Sequence, residues 1–125
     1  MTKSSTAIDI FKFILPTGIT TYFEVKSVKE SAQKLTIVLE EKNSVPQEHE
    51  GKKLISKGFY PSTFLQDFPI REYKVFLEIR RRKWRDTDTG KTVSRDWQLA
   101  AKGTSLTTEF GAFLKEMVRY LPSQR

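Results

Sequence analysis

The sequence predicts an α+β fold: an antiparallel sheet of about four or five strands, a basic β-hairpin, and one helix near each end. Three observations point there. Apolar and polar residues alternate with a period of two through residues 20–28, 34–41 and 73–79. Apolar residues recur at three- and four-residue steps from Phe110 to Leu121. Between them, an apolar strand runs straight into the cationic block Arg80-Arg81-Arg82-Lys83. At 125 residues, the chain suits one domain spanning 1–125 with a modest core, its first five and last four residues reading as frayed ends.

Taken in order, Ser5 or Thr6 caps an expected helix over residues 6–15, with Ile8, Phe11, Ile14 and Leu15 on one face. Pro16-Thr17-Gly18 ends it. Residues 20–28 (TTYFEVKSV) and 34–41 (KLTIVLEE) alternate and read as a hairpin. Phe23 and Val25 share one face, as do Leu35, Ile37 and Leu39. Glu40 and Glu41 point to opposite faces of their strand, which makes them a poor acid/base pair, and edge solvation accounts for them. Residues 42–53 form a polar loop around Pro46 and Gly51, holding His49 as a solvated residue. Residues 54–60 make a short strand. Phe64, Leu65, Phe68 and Ile70, with Pro69 among them, read as an aromatic connector packed under the sheet. In the last segment, Ser105 or Thr107 caps a helix that Pro122 stops, and its apolar stripe covers the sheet.

Composition narrows the function classes. No apolar run approaches the roughly 20 residues that span a bilayer, and the N-terminus has no signal-peptide pattern. Cysteine is absent, which removes disulfides and thiolate zinc sites, and a cytoplasmic location is the default. The net charge of +7 is unevenly placed. Residues 1–50 hold 6 Lys/Arg against 7 Asp/Glu, net −1, whereas residues 51–125 hold 16 against 8, net +8. That asymmetry points to a polyanion-facing surface in the second half.

Two motifs look chemical and fail on spacing. Gly90-Lys91-Thr92 lacks the glycine that a phosphate-binding loop needs at position 85, which is Arg85. Asp86 and Asp88 start like a calcium loop, but Lys91 stands at the required glycine and Trp97 at the required bidentate glutamate. DTDTGK is therefore a turn. One histidine and no cysteine support neither a catalytic triad nor a metal set, so no cofactor, no small-molecule substrate and no catalysis by this chain are expected.

The stretch from Arg71 to Trp97 reads as a long hairpin, buried at its base and positive towards a tip at Asp86–Gly90. Arg81, Lys83 and Arg85 continue the face of Tyr73, Val75, Leu77 and Ile79, while Arg80, Arg82 and Trp84 continue the other. Unpaired charge cannot stay inside, so the tip should leave the core with cations on both faces. A two-stranded ribbon of that kind fits a DNA major groove, and guanidinium forks suit phosphate. The expected DNA-binding set is Arg80, Arg81, Arg82, Lys83, Trp84, Arg85, Lys91, Arg95 and Lys102. Trp84 and Trp97 either clamp the ribbon to the body or stack on a base.

Residues 56–97 (SKGFYPSTFLQDFPIREYKVFLEIRRRKWRDTDTGKTVSRDW) resemble the N-terminal segment of certain bacterial insertion-sequence transposases. There, a strand of pattern dlP…v.l.l..RR leads into a zinc ribbon ahead of a helix-turn-helix and a DDE nuclease core. Asp67, Pro69, Val75, Leu77, Ile79, Arg81 and Arg82 stand in matching positions. The ribbon's cysteines are missing, with Trp84 near where one would sit, and the chain through DWQLAAKGTSLTTEFGAFLKE is more similar to a zinc-free subgroup. The resemblance implies a non-catalytic, DNA-binding accessory or N-terminal domain that recognises transposon-end double-stranded DNA for a DDE transposase catalytic domain or subunit. A second reading is a protein-interaction module that docks onto a separately encoded transposase without touching DNA. A third is a single-strand binder that uses Trp84, Tyr73 or Phe76 as a stacking platform.

Overall fold

The computed structural model describes Leu15, residues 18–97 and residues 108–121. Seven strands occur among them: β1 (Phe23–Ser31), β2 (Lys34–Glu41), β3 (Leu54–Phe59), β4 (Thr63–Ile70), β5 (Tyr73–Arg80), β6 (Arg82–Asp86) and β7 (Thr92–Val93). Two 3₁₀ turns, Ile19–Thr21 and Gln47–His49, and one helix, α1 (Thr108–Tyr120), complete the described elements. The C-terminal helix stands as expected, whereas the helix anticipated over residues 6–15 lies outside the described residues.

The strands form two sheets, ordered β1-β2-β5-β4 and β3-β6-β7. The larger sheet is mixed, not antiparallel as the alternation suggested, because β2 and β5 run parallel, with Lys34 beside Lys74 and Glu40 beside Arg80. Parallel neighbours need a crossover. Here the crossover is the excursion through β3 and β4, so the chain visits the small sheet before it returns.

The expected hairpin is also rearranged. The tight reversal is at Arg71-Glu72, where Arg71 takes a φ of 58°, and β5 pairs backwards with β4. Beyond the bend, β6 pairs with β3, so residues 54–70 and 73–86 run alongside each other across both sheets. The DTDTG turn does form, held by the Asp86 carboxylate, which accepts the N–H groups of Asp88 and Thr89. Yet β7 returns for only two pairs, Trp84 with Val93 and Arg85 with Thr92. Residues 63–70 are an edge strand instead of a buried connector. Leu65 points inward and Phe64 and Phe68 outward, and an edge tolerates Pro69.

The core lies on one face of the larger sheet. Phe23, Val25, Ile37, Leu39, Leu65, Val75, Leu77 and Ile79 meet Phe113, Leu114 and Met117 of α1, with Trp97 and Ile19 closing one end. A bulge between Val25 and Ser27 keeps β1 in phase. Strict alternation would send Val28 outward; the extra residue sets it opposite Ile37, against the core.

The β1–β2 turn is two residues long, with Ala32 at φ 49° and Gln33 at φ 60°. Left-handed backbone matches the twist of the flanking strands but strains any residue with a Cβ. Gln33→Gly should therefore raise stability by about 0.5–1 kcal/mol, seen as a higher urea midpoint at unchanged slope.

Candidate nucleic-acid interface

The cationic block does not leave the core at Ile79. The chain bends at Arg81, passes from one sheet to the other and keeps Arg81, Trp84 and Asp86 buried. This corrects the expectation of an outward ribbon tip, and the physical reason is a set of internal carboxylates that receive the arginines.

Glu41 is the centre of that set. It occupies the position after Leu35, Ile37 and Leu39 on the same face and is only 1% exposed, not a solvated edge residue. One carboxylate oxygen accepts the backbone N–H of Arg82 at 2.8 Å, and the other accepts Nε of Arg95 at 3.0 Å. The carbonyl of Glu41 takes Nε and Nη2 of Arg82, whose Nη1 reaches the Ser56 hydroxyl at 2.7 Å. The guanidinium of Arg82 also lies over the Phe59 ring, and that of Arg95 over Tyr22. Arg80 binds Glu40 at 3.0 Å and Glu78 at 3.4 Å, and the Ser62 hydroxyl donates to the same Glu78 oxygen.

Arg81 is 2% exposed, with its guanidinium 4.5 Å from the Tyr60 ring centroid and its Nε buried without an acceptor. Burial pulls its pKa below the ordinary arginine value, against the opposing influence of Tyr60 and Glu41. Arg81 and Arg95 are thus buried, and the half-buried Arg80 and Arg82 are tied to internal acceptors. Trp84 and Trp97 are packing residues: both are buried, and Trp97 stacks on Phe23 at 5.2 Å. Lys102 lies outside the described residues.

Of the expected set, Arg85 and Lys91 are exposed and Lys83 is partly exposed without an ion-pair partner. Lys83 and Arg85 alternate with buried Trp84 and so share the outward face of β6. Arg85 is cross-strand partner to Ile55 and Thr92, both exposed, and its guanidinium lies beside Gly90. Lys53 and Lys57, exposed at the start of β3 and within it, border the same sheet; sequence reading passed over both. Among the described residues, Lys53, Lys57, Lys83, Arg85 and Lys91 form no ion pair. Lys83 instead approaches the Tyr60 ring at 5.5 Å. His49 is half-buried, with its ring meeting the Ser94 carbonyl and the Lys52 ammonium. Among the described residues, no three His, Asp or Glu side chains gather as a metal set, and no helix is long and apolar enough to cross a membrane.

The two acidic centres respond to pH in opposite directions. Burial raises Glu41 above the ordinary glutamate value of 4.5, despite the Arg82 N–H and Arg95. Burial also pushes Glu78 up, but the Ser62 hydroxyl and the charges of Lys29 and Arg80 outweigh it and hold Glu78 below 4.5. A raised folded value favours proton uptake on folding, so the Glu41 contribution is complete below 4.5 and is lost as pH rises through its folded value. The Glu78 contribution is present above 4.5 and lost as pH falls through its folded value. Urea unfolding across a pH series should show Glu41→Gln abolishing the decline above 4.5 while keeping the acid-side loss. Glu41→Ala, which removes both acceptors from a buried pair, should cost about 3–5 kcal/mol at neutral pH.

Comparison with protein-family models, with curated proteins and with solved structures finds no match to this chain.

Proposed function

We propose that the chain is a non-catalytic binder of double-stranded DNA, and that its contact surface is the outward face of the three-stranded sheet. The observation that supports this is the sorting of charge. Four arginines have internal partners or aromatic cover, whereas Lys53, Lys57, Arg85 and Lys91 are exposed and Lys83 partly exposed around one small sheet, and among the described residues none of the five is in an ion pair. Cations left over in this way attract a polyanion by releasing its condensed counterions. Lysine ammonium groups and one arginine on a sheet face track phosphates and supply little base readout, so affinity outruns sequence specificity.

The likeness of residues 56–97 to the N-terminal segment of insertion-sequence transposases extends the reading. In it, the DNA is a transposon end and the partner is a DDE nuclease domain or subunit. That extension rests on the sequence pattern alone.

A mobility-shift titration at several salt concentrations tests the proposal. With about four phosphate contacts, log affinity should fall against log salt with a slope near −3.6, and Lys83→Ala/Arg85→Ala should flatten it by about 2. A salt-independent complex, or a slope untouched by the double variant, would sink the proposal and favour docking onto a transposase without DNA contact.

A further inference from the structure

The larger sheet has a second face, turned away from the core, and it carries exposed phenylalanines. Phe64 is 56% and Phe68 84% exposed, both on the edge strand β4. Leu65, between them in sequence, points into the core, so Phe64 lies on the opposite side. Phe76 of β5 is cross-strand partner to Gln66 and therefore lies diagonal to Phe64, about 7–8 Å away. Helix α1 packs its buried side chains on the core face; on this face Val38 and Glu78 are buried, while Phe64, Gln66 and Lys74 stay exposed.

Charge on the face is also sorted. Lys34 holds its ammonium 4.8 Å from the Phe76 ring centroid, and Lys74, exposed, is its cross-strand partner on β5. Glu78 is the direct cross-strand partner of Phe64, and its charge is taken up by Lys29 and Arg80, as that of Glu40 is by Arg80. The result is a strip of rings on β4 and β5, with the Lys34 ammonium over Phe76, Lys74 next to it, and an already neutralised carboxylate beside Phe64.

We propose that this face binds single-stranded nucleic acid, with unpaired bases stacking on Phe64 and Phe68 and the backbone phosphates meeting Lys34 and Lys74. Exposed rings on a sheet, flanked by cations, are what unpaired bases need: every base has a π-face, and each phosphate needs a cation. A protein partner fits less well. An apolar partner surface would desolvate Lys34 and Lys74, and lysine is depleted at the centre of protein interfaces. A second copy laid face to face would bring the same lysines with it. The surface is distinct from the Lys83–Arg85 face, and the inference does not depend on duplex binding there.

The test is fluorescence anisotropy with labelled oligo(dT), run beside duplex DNA, on the full chain. Phe64 and Phe68 project into water, so Phe64→Ala and Phe68→Ala should leave the thermal melt by circular dichroism unchanged. Each should weaken oligo(dT) binding roughly 5- to 150-fold while duplex affinity holds. Lys83→Ala/Arg85→Ala should do the reverse, which separates failure of this inference from failure of the duplex reading. Oligo(dT) affinity unchanged in the Phe64→Ala/Phe68→Ala double variant would overturn it. So would light scattering that finds a dimer which the double variant dissolves, because the face would then belong to a second copy.

Discussion

The architecture turns on the Glu41 carboxylate at the corner where the chain passes from one sheet to the other. A strand that leaves its sheet abandons its hydrogen-bonding ladder, and the first N–H beyond the bend is left to find another acceptor. At this corner, the N–H belongs to Arg82 and the acceptor is Glu41. The carbonyl of Glu41 receives the Arg82 side chain in return, and its second carboxylate oxygen ties down Arg95 from the segment after β7. One residue thus joins β2, β6 and the approach to Trp97. Burial of its charge is expensive, as its raised pKa records, but removing it would strand a buried guanidinium.

From that corner follows the division of the cations. A guanidinium is planar, weakly hydrated and rich in donors, so it can be folded inside against carboxylates, carbonyls and rings. Arg80, Arg81, Arg82 and Arg95 are used in this way, and Arg81 relies on the Tyr60 ring in place of a carboxylate. An ammonium is more strongly hydrated and stays out, as Lys53, Lys57 and Lys91 do. The charge left outward is therefore a lysine-rich face with Arg85 in it, smaller than the arginine run in the sequence suggests.

The aromatic residues divide along the same line. Trp97, Phe23 and Tyr22 pack edge and face around one end of the core, and Trp84 is buried in the small sheet. Phe64 and Phe68, on an edge strand with no room on its inner face for both parities, are left in water. Interior tryptophans hold the fold, whereas Phe64 and Phe68 take no part in the core.

Much of the local structure was legible from the residues themselves. Period-two alternation located β1, β2 and β5, a short strand was read at β3, the three- and four-residue steps located α1, and DTDTG announced its turn, because each of these depends only on near neighbours in the chain. The position of Glu41 was also readable in principle, since it continues the inward parity of Leu35, Ile37 and Leu39. What the tertiary structure alone decided is which strands become neighbours. Parallel pairing of β2 with β5 sets Glu40 beside Arg80 across forty positions, and the bend at Arg81 delivers Arg82 to Glu41. A run of arginines looks solvent-bound until its carboxylates arrive from elsewhere, and they arrive through long-range register, which no local pattern encodes.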